Sequence, residues 1–365
     1  MYDIIIIGAG IIGSTLFYEL TKQSVRVCIL EKNHQAGLEV TGHNSAIIHN
    51  GIDPADGSLK AKYNLLASPV YAAYCQELET PYNQIGAYVV AKHPDELKHL
   101  DELYLRALKR HVPVRLLSRE EALINEPYLS DNVVGVLDMP TTAIVQPTHL
   151  SQQAIHKGIQ NGGVAEFNTK VISIMQEKDY FEVHTSNGIY QSKLVVNASG
   201  LFASEIEQMV SKPSFTLRYR RGEYLVLSKL ASYISKRIFY PVPSPLGKGV
   251  LFVPTIDGNF LIGPNAVDVE TRCEDVVTEA GIQDVKDKIK HMMKDIPLQY
   301  EIERFSGLRP RVDSDDFILS ESPYIKHFFN FVGIESPGIS SAPSIAQDMV
   351  ETVLIPALRS LETHD

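Results

Sequence analysis

Asp3-Ile4-Ile5-Ile6-Ile7-Gly8-Ala9-Gly10-Ile11-Ile12-Gly13 is the stretch that decides the fold. Asp3 to Ile7 reads as a strand, and its apolar run Ile4 to Ile7 is of the kind buried on both faces of a parallel sheet. Gly8 permits a tight turn out of that strand. Gly10 lets the backbone approach a pyrophosphate, and Gly13 lets the following helix pack closely on the sheet. Phosphates held there sit on unpaired N–H groups at the positive end of a helix. Ile12, Leu16 and Leu20 recur at helical spacing, and Val25 to Leu30 reads as the next strand. Glu31 closes it about 20 residues past the loop, where an acid accepts hydrogen bonds from a ribose hydroxyl. A bare GxGxxG is weak evidence. Strand, loop, helix, strand and acid in this order predict a dinucleotide-binding unit, for NAD as readily as for FAD.

The 365 residues are long for one core, so two intimately connected domains are expected. Hydrophobic residues at 44% and charged residues at 21% are ordinary for a soluble protein. A formal net charge of −10 argues against a nucleic acid or anionic membrane as partner. Cys28, Cys75 and Cys273 form no CxxC and no zinc set, so neither a metal site nor structural disulfides are expected, and a reducing cytoplasm fits. The chain enters its first strand without a basic leader, and no apolar stretch approaches the roughly 18 residues of a bilayer span. The expectation is a soluble cytoplasmic protein, at most peripheral to the inner face of a membrane.

Beyond the first unit, Tyr63 to Glu77 reads as a helix and Gly86 to Ala91 as a strand. Pro94 to Arg110 reads as a charged surface helix with Leu97, Leu100, Tyr104 and Leu108 along its apolar stripe. Val133 to Leu137 predicts a strand, and Pro147 opens a helix through about Gln160. Val171 to Met175, Tyr180 to His184 and Leu194 to Gly200 read as sheet. The last of these meets a small-residue turn and a helix from about Ala203, as in a return to the nucleotide domain. Tyr224 to Leu227, Val250 to Val253 and Phe260 to Ile262 predict further strands, and Ile282 to Asp295 a helix. Strand Phe328 to Val332, the turn Gly333 to Gly338 and a helix from Ser340 to Leu354 close the chain.

This discontinuous layout resembles the D-amino-acid-oxidase-like (DAO) flavoproteins, in the branch of glycerol-3-phosphate oxidases and dehydrogenases and L-2-hydroxyglutarate oxidases. The similarity rests on Gly8 to Gly13, Asn44 to Ile52, Leu59-Lys60-Ala61-Lys62, Arg221-Gly222-Glu223-Tyr224 and Pro254 to Gly258. Gly263-Pro264-Asn265, Gly307-Leu308-Arg309-Pro310 and Ser336-Pro337-Gly338 complete it. It implies an α/β fold: a glutathione-reductase-type, Rossmann-like FAD-binding domain (1–76, 148–215 and 299–365). A substrate domain on a mixed, largely antiparallel sheet (77–147 and 216–298) is interleaved with it. Two residues depart from the pattern. Ala46 replaces a usual glycine, so the backbone there is expected to avoid the conformations that only glycine enters freely. Gln146 stands where relatives often carry aspartate.

The resemblance also implies a chemistry. Oxidising a secondary alcohol with flavin requires loss of the hydroxyl proton, hydride transfer to flavin N5 and stabilisation of the charge left on the reduced ring. His49, closing the Asn44 to His49 motif, is the implied base; neutral imidazole can take the proton as the C–H bond breaks. Arg309 would grip the anionic end of the substrate through two parallel bonds. Lys248, in Gly247-Lys248-Gly249, would bind phosphate or favour oxygen chemistry, and Ser336 would lie beside the same pocket. FAD contacts are implied for Gly8, Gly10, Ile12, Gly13, Glu31, Lys32, Thr41, His43, Asn44 and Ser45. Val171, Ala198, Gly200, Gly307, Gly338, Ile339 and Ser340 complete the implied set, His43 as a simple contact rather than a covalent link. Gly338 to Ser341 would open a helix whose positive end faces the flavin's N1–C2=O edge. Arg220, Arg221 and Arg311 read as structural or superficial. The favoured activity is oxidation of sn-glycerol 3-phosphate to dihydroxyacetone phosphate, supported by Lys248 and Asp257-Gly258-Asn259-Phe260, with O2 reduced to H2O2 or another electron acceptor such as a quinone in its place. L-2-hydroxyglutarate to 2-oxoglutarate is the runner-up. A nicotinamide-only dehydrogenase and a flavin-bearing sensor remain as other classes; colourless purified protein would favour the first.

Overall fold

In the computed structural model, which describes residues 1–243 and 249–362, β1 (Tyr2–Ile7) runs through the middle of a sheet. It pairs in parallel with β2 (Val27–Leu30) on one side and with Gly188–Asn197 on the other. Val164–Glu166 extends the sheet beyond β2, and Phe328–Val332 adds in parallel beside Gly188–Asn197. Antiparallel Val171–Gln176, Phe181–Thr185 and Ile318–Glu321 make this sheet mixed. Ile4, Ile5 and Ile6 are fully buried, and each such side chain contributes about 1.5–3 kcal/mol. Helix α1 (Ile11–Thr21) is buried on all sides because Pro147–Gln160 and the late helix Gly338–Met349 pack around it. Its polar Ser14 and Thr15 return hydrogen bonds to the carbonyls of Ala9 and Ile11 (3.1 and 2.8 Å), so their burial leaves no unpaired hydroxyl.

The second sheet runs Val267–Val269, Leu217–Leu227, Phe260–Gly263, Leu251–Pro254, Ile238–Pro241, Ala87–Ala91, Gly135–Met139, Arg115–Ser118. Glu301–Val312 lies against Leu217–Leu227 in a long antiparallel ladder; among the described residues only Ile238–Pro241 with Ala87–Ala91 is a parallel pair in this sheet. A small sheet of Ile47–Ile48, Ala143–Val145 and Tyr82–Gln84 lies in sequence between these segments. Together these give a mixed α/β architecture with one largely antiparallel sheet. No described helix is long and apolar enough to cross a membrane.

Several local expectations shift. The single helix read over Tyr63 to Glu77 is two, Leu59–Ala67 and Tyr71–Glu77. Ser58 caps the first by accepting from Ala61 N–H (3.1 Å), and Pro69 falls in the break. In Pro94–Lys109 the buried stripe is Leu100, Leu103 and Ala107, whereas Leu97 and Leu108 are exposed. The strand read from Val133 is Gly135–Met139, and the helix read from Ile282 is Glu279–Lys290, capped by Thr278. The expectation for Ala46 is overturned: its φ is +55°, in the left-handed region. The side chain of Asn44 explains why. Its Oδ1 accepts from Ala46 N–H (2.7 Å) while its Nδ2 donates to the carbonyls of Thr41 and Val40 (2.7 and 3.1 Å). That hydrogen-bonded turn holds Ala46 in a conformation costing about 1–2 kcal/mol.

Candidate active site

The end of β1 opens on a cavity of about 650 Å³. Gly8 turns with φ +100°, and a Cβ on Gly13 would lie 1.9 Å from the Gly8 carbonyl oxygen, so close packing of helix on loop demands glycine there. Gly10 caps α1 without a side chain; Thr41 Oγ1 accepts from Ile11 N–H (2.9 Å), and Ile12 lines the cavity behind it. Glu31 stands buried at the end of β2. Its Oε2 accepts from Ala9 N–H (2.7 Å) and its Oε1 from Asn33 N–H (2.9 Å), so it ties the glycine loop to β2. Each carboxylate oxygen retains a lone pair for a further donor. Lys32 pairs with Glu39 and lies 4.3 Å from the centre of the Phe202 ring. Arg272 covers that ring at 4.2 Å, and Val171, Ala198 and Gly200 complete this end of the cavity. Gly13 is the one fingerprint glycine behind the wall rather than on it.

The segment from Thr41 to Ser45 crosses from this end to the second sheet. His43 places Nδ1 3.0 Å from the Glu39 carbonyl oxygen, and Ser45 Oγ lies 3.4 Å from Tyr224 Oη. A Cβ on Gly307 would come within 2.2 Å of the His43 carbonyl oxygen, so the segment rests directly on the sheet. Gly307 is paired with Gly222, and the next rung on the same face carries Tyr224 and Phe305, stacked at 4.6 Å.

At the far end stands His49. Its N–H donates to Ser340 Oγ (2.9 Å), its carbonyl accepts from Asn64 Nδ2 (2.8 Å), and Ser340 Oγ donates to Ile47 O (3.2 Å). The ring lies between two hydroxyls: Nε2 is 3.4 Å from Ser336 Oγ, and Nδ1 is 3.1 Å from Tyr240 Oη. Burial pushes the Tyr240 phenol well above its ordinary range, with the charge of Asp53 adding to the effect, so it stays protonated. Helix Gly338–Met349 starts at the cavity with Gly338, Ile339 and Ser340 on its wall and no side chain capping it. It starts two residues earlier than read, and a π turn over Val350–Leu354 follows it.

Strand alternation sets the charges. Arg220 is opposite Arg309, and Arg218 opposite Arg311, so all four share one face of the ladder. Arg220 grips Asp268 through Nε and Nη2 (2.6 and 2.9 Å), which holds that carboxyl below the usual range. Arg218 meets Asp313 at 2.7 Å, and Arg311 meets Asp315 at 2.7 Å and Glu335 at 3.4 Å. Lys60 reaches Glu335 at 3.0 Å. Arg309 is half-buried on the cavity wall and, among the described residues, has no ion-pair or hydrogen-bond partner for its guanidinium. Lys248 lies outside the described residues. Tyr240, Asp53 and Glu335 were not singled out by motif, although all three line the space around His49. A strand tyrosine carries no signal of its polar tip. Glu335, by contrast, sits in the turn already read before Ser336.

The chain matches the family model described as FAD dependent oxidoreductase (DAO) over residues 3–352. It is 38% identical over 353 residues to a glycerol 3-phosphate dehydrogenase of Caloramator mitchellensis, covering 96% of this chain and 73% of that protein. It is 31% identical to an L-2-hydroxyglutarate dehydrogenase of Indibacter alkaliphilus, over 73% of this chain and 68% of that one. Among solved structures, dithionite-reduced L-alpha-glycerophosphate oxidase from Mycoplasma pneumoniae with FAD bound superposes with a TM-score of 0.91. Its sequence identity is 29%, covering 97% of this chain and 94% of that one.

Proposed function

The chain belongs to the FAD-dependent oxidoreductase (DAO) family, and from that premise we propose that it oxidises sn-glycerol 3-phosphate to dihydroxyacetone phosphate, with O2 reduced to H2O2. The residues present fit FAD: a glycine loop that any Cβ would fill, a helix end without a side-chain cap, and Glu31 with acceptor capacity to spare. When bound, the flavin supplies the chemistry by accepting the hydride of the substrate carbon.

The chain's own groups do the rest. Nε2 of His49 accepts the alcohol proton, a contribution of about 10²–10⁴-fold for general base catalysis. Ser336 Oγ lies where it can orient the same oxygen. The start of Gly338–Met349 presents N–H groups to the charge that develops as the substrate is oxidised. Arg309 takes the anionic end. The observation that carries the reading is this half-buried guanidinium, without a partner among the described residues, in one cavity with His49. The similarity to the glycerol 3-phosphate dehydrogenase supports the choice of anion. L-2-hydroxyglutarate is the second reading, favoured by the Indibacter relative.

Anaerobic mixing of the yellow holoenzyme with each compound tests the reading. Glycerol 3-phosphate is expected to bleach the flavin faster than L-2-hydroxyglutarate, and air should restore the colour with release of peroxide. If neither bleaches it, the substrate reading is wrong. His49→Gln should keep FAD yet slow bleaching by at least about 10²-fold.

A further inference from the structure

Beside His49, sharing that residue and Asp53 with the wall of the main cavity, lies a second cavity of about 30 Å³. It is lined by His49, Asn50, Asp53, Thr142 and Tyr240 among others. Two of its polar side chains are almost wholly buried and have an atom with no hydrogen-bond partner among the described residues: Asn50 Nδ2 (residue 3% exposed) and Thr142 Oγ1 (1% exposed). Buried polar atoms are nearly always satisfied, and a space of this size exceeds the roughly 10–15 Å³ that one water needs.

We propose that Tyr240 is the positioning residue of His49, and that the small cavity holds a water linking Tyr240 to Asp53. The ring nitrogens have distinct tasks. For Nε2 to take a proton, Nδ1 must carry the ring hydrogen and needs an acceptor. Tyr240 Oη, 3.1 Å away, is that acceptor. Its own O–H is then directed at the water. The water accepts from Tyr240 Oη–H and Asn50 Nδ2–H and donates to the Asp53 carboxylate and Thr142 Oγ1. All four of its hydrogen bonds are thereby made, and both orphaned atoms gain a partner. The chain has one direction because Asp53 carries the acceptor-only group at its end. A neutral phenol replaces the carboxylate that often holds a catalytic histidine, so the ring is oriented with the negative charge kept one water away.

This inference rests on His49 being the base, and the experiment separates the two. FAD-loaded enzyme labelled with ¹⁵N at histidine is compared with Tyr240→Phe, the His49 signals being those lost in His49→Gln. Above the titration of the ring, wild type should hold its proton on Nδ1, and Tyr240→Phe should shift it towards Nε2. Anaerobic reduction in Tyr240→Phe should slow about 10–100-fold, as when the partner of a functional histidine is removed, while the concentration dependence on substrate stays within about twofold. An Nε2–H tautomer in wild type, or a reduction rate in Tyr240→Phe within about twofold of wild type, overturns the role of Tyr240. Near-normal reduction in His49→Gln removes the base reading instead, and the tautomer still decides for Tyr240. A crystal structure of the holoenzyme should show the water within hydrogen-bond distance of Tyr240 Oη and Thr142 Oγ1; an empty cavity overturns the link to Asp53.

Discussion

Replacing Arg309 by Met keeps most of the side-chain volume and removes only the guanidinium. Because that group has no partner among the described residues, no internal ion pair breaks, and the whole cost should fall on the anion. Two parallel N–H···O bonds to a charged acceptor contribute about 1.5–3 kcal/mol each at best. A Coulomb estimate for one unit charge at about 4 Å in an effective dielectric of about 20 is about 4 kcal/mol. Arg309 is only half-buried, and Arg220 and Arg311 keep some positive field on the same cavity wall, so we take about 3 kcal/mol as net. That corresponds to a rise in Kd of about 100–200-fold. Stopped-flow bleaching under anaerobic conditions across a substrate series measures it directly, with absorbance near 450 nm reporting that FAD is retained. Arg309→Lys should recover part of the loss, since a point charge replaces the fork. A Kd for Arg309→Met within about threefold of wild type would contradict the assignment of Arg309 to the anion.

Gly307→Ala should drive a Cβ into the His43 carbonyl oxygen, costing about 1–3 kcal/mol and loosening FAD on dialysis; undiminished retention would show that the Thr41 to Ser45 segment moves freely. Ala46→Gly relieves the left-handed strain but frees the unfolded chain by about 0.4–1 kcal/mol, so the thermal midpoint should stay level or rise slightly, and a clear fall would refute the strain. Burial pushes the Cys28 and Cys75 thiols from 9.0 up to about 12. Between those values the unfolded thiols ionise and the folded ones do not, so their contribution is complete below about pH 9 and is lost as pH rises towards 12. The urea midpoint should fall from pH 8 to pH 10.5 by less in Cys28→Ala/Cys75→Ala than in wild type, and an equal fall would refute the burial argument. In the native protein iodoacetamide at pH 8 should modify exposed Cys273 ahead of both.

The parts of this molecule legible in its sequence are those where local chemistry and tertiary demand coincide. Gly8 to Gly13 is such a case, because the turn, the phosphate approach and the helix packing all need the same small residues. Pro147–Gln160 is another, its start marked by proline. Ala46 departs from expectation because its backbone is set by Asn44, and a side-chain hydrogen bond overrides the intrinsic preference of the residue. The buried stripe on Pro94–Lys109 differs from the expected one because leucine alone does not say which of two overlapping helical faces meets the sheet. Tyr240 could not be found at all: its partner lies 191 positions away, and only strand pairing brings its hydroxyl to His49. The motif marks Arg309, but that it alone of the four arginines lacks an acid among the described residues depends on where Asp268, Asp313, Asp315 and Glu335 fall in space.

The ladder of Leu217–Leu227 with Glu301–Val312 divides labour along its length. Leu225 and Leu227 belong to the interior, Gly222 and Gly307 seat the segment Thr41 to Ser45, and Arg220 and Arg309 stand on the cavity wall, Arg220 already held by Asp268. Rungs on one face are separated by about 7 Å, so a change at one scarcely disturbs the next. On the proposed role of Arg309, a lineage built on this chassis can trade one small acid for another by altering the outer rung alone. Neither the foundation nor the coenzyme berth need be redesigned, and new catalytic diets become reachable in single steps.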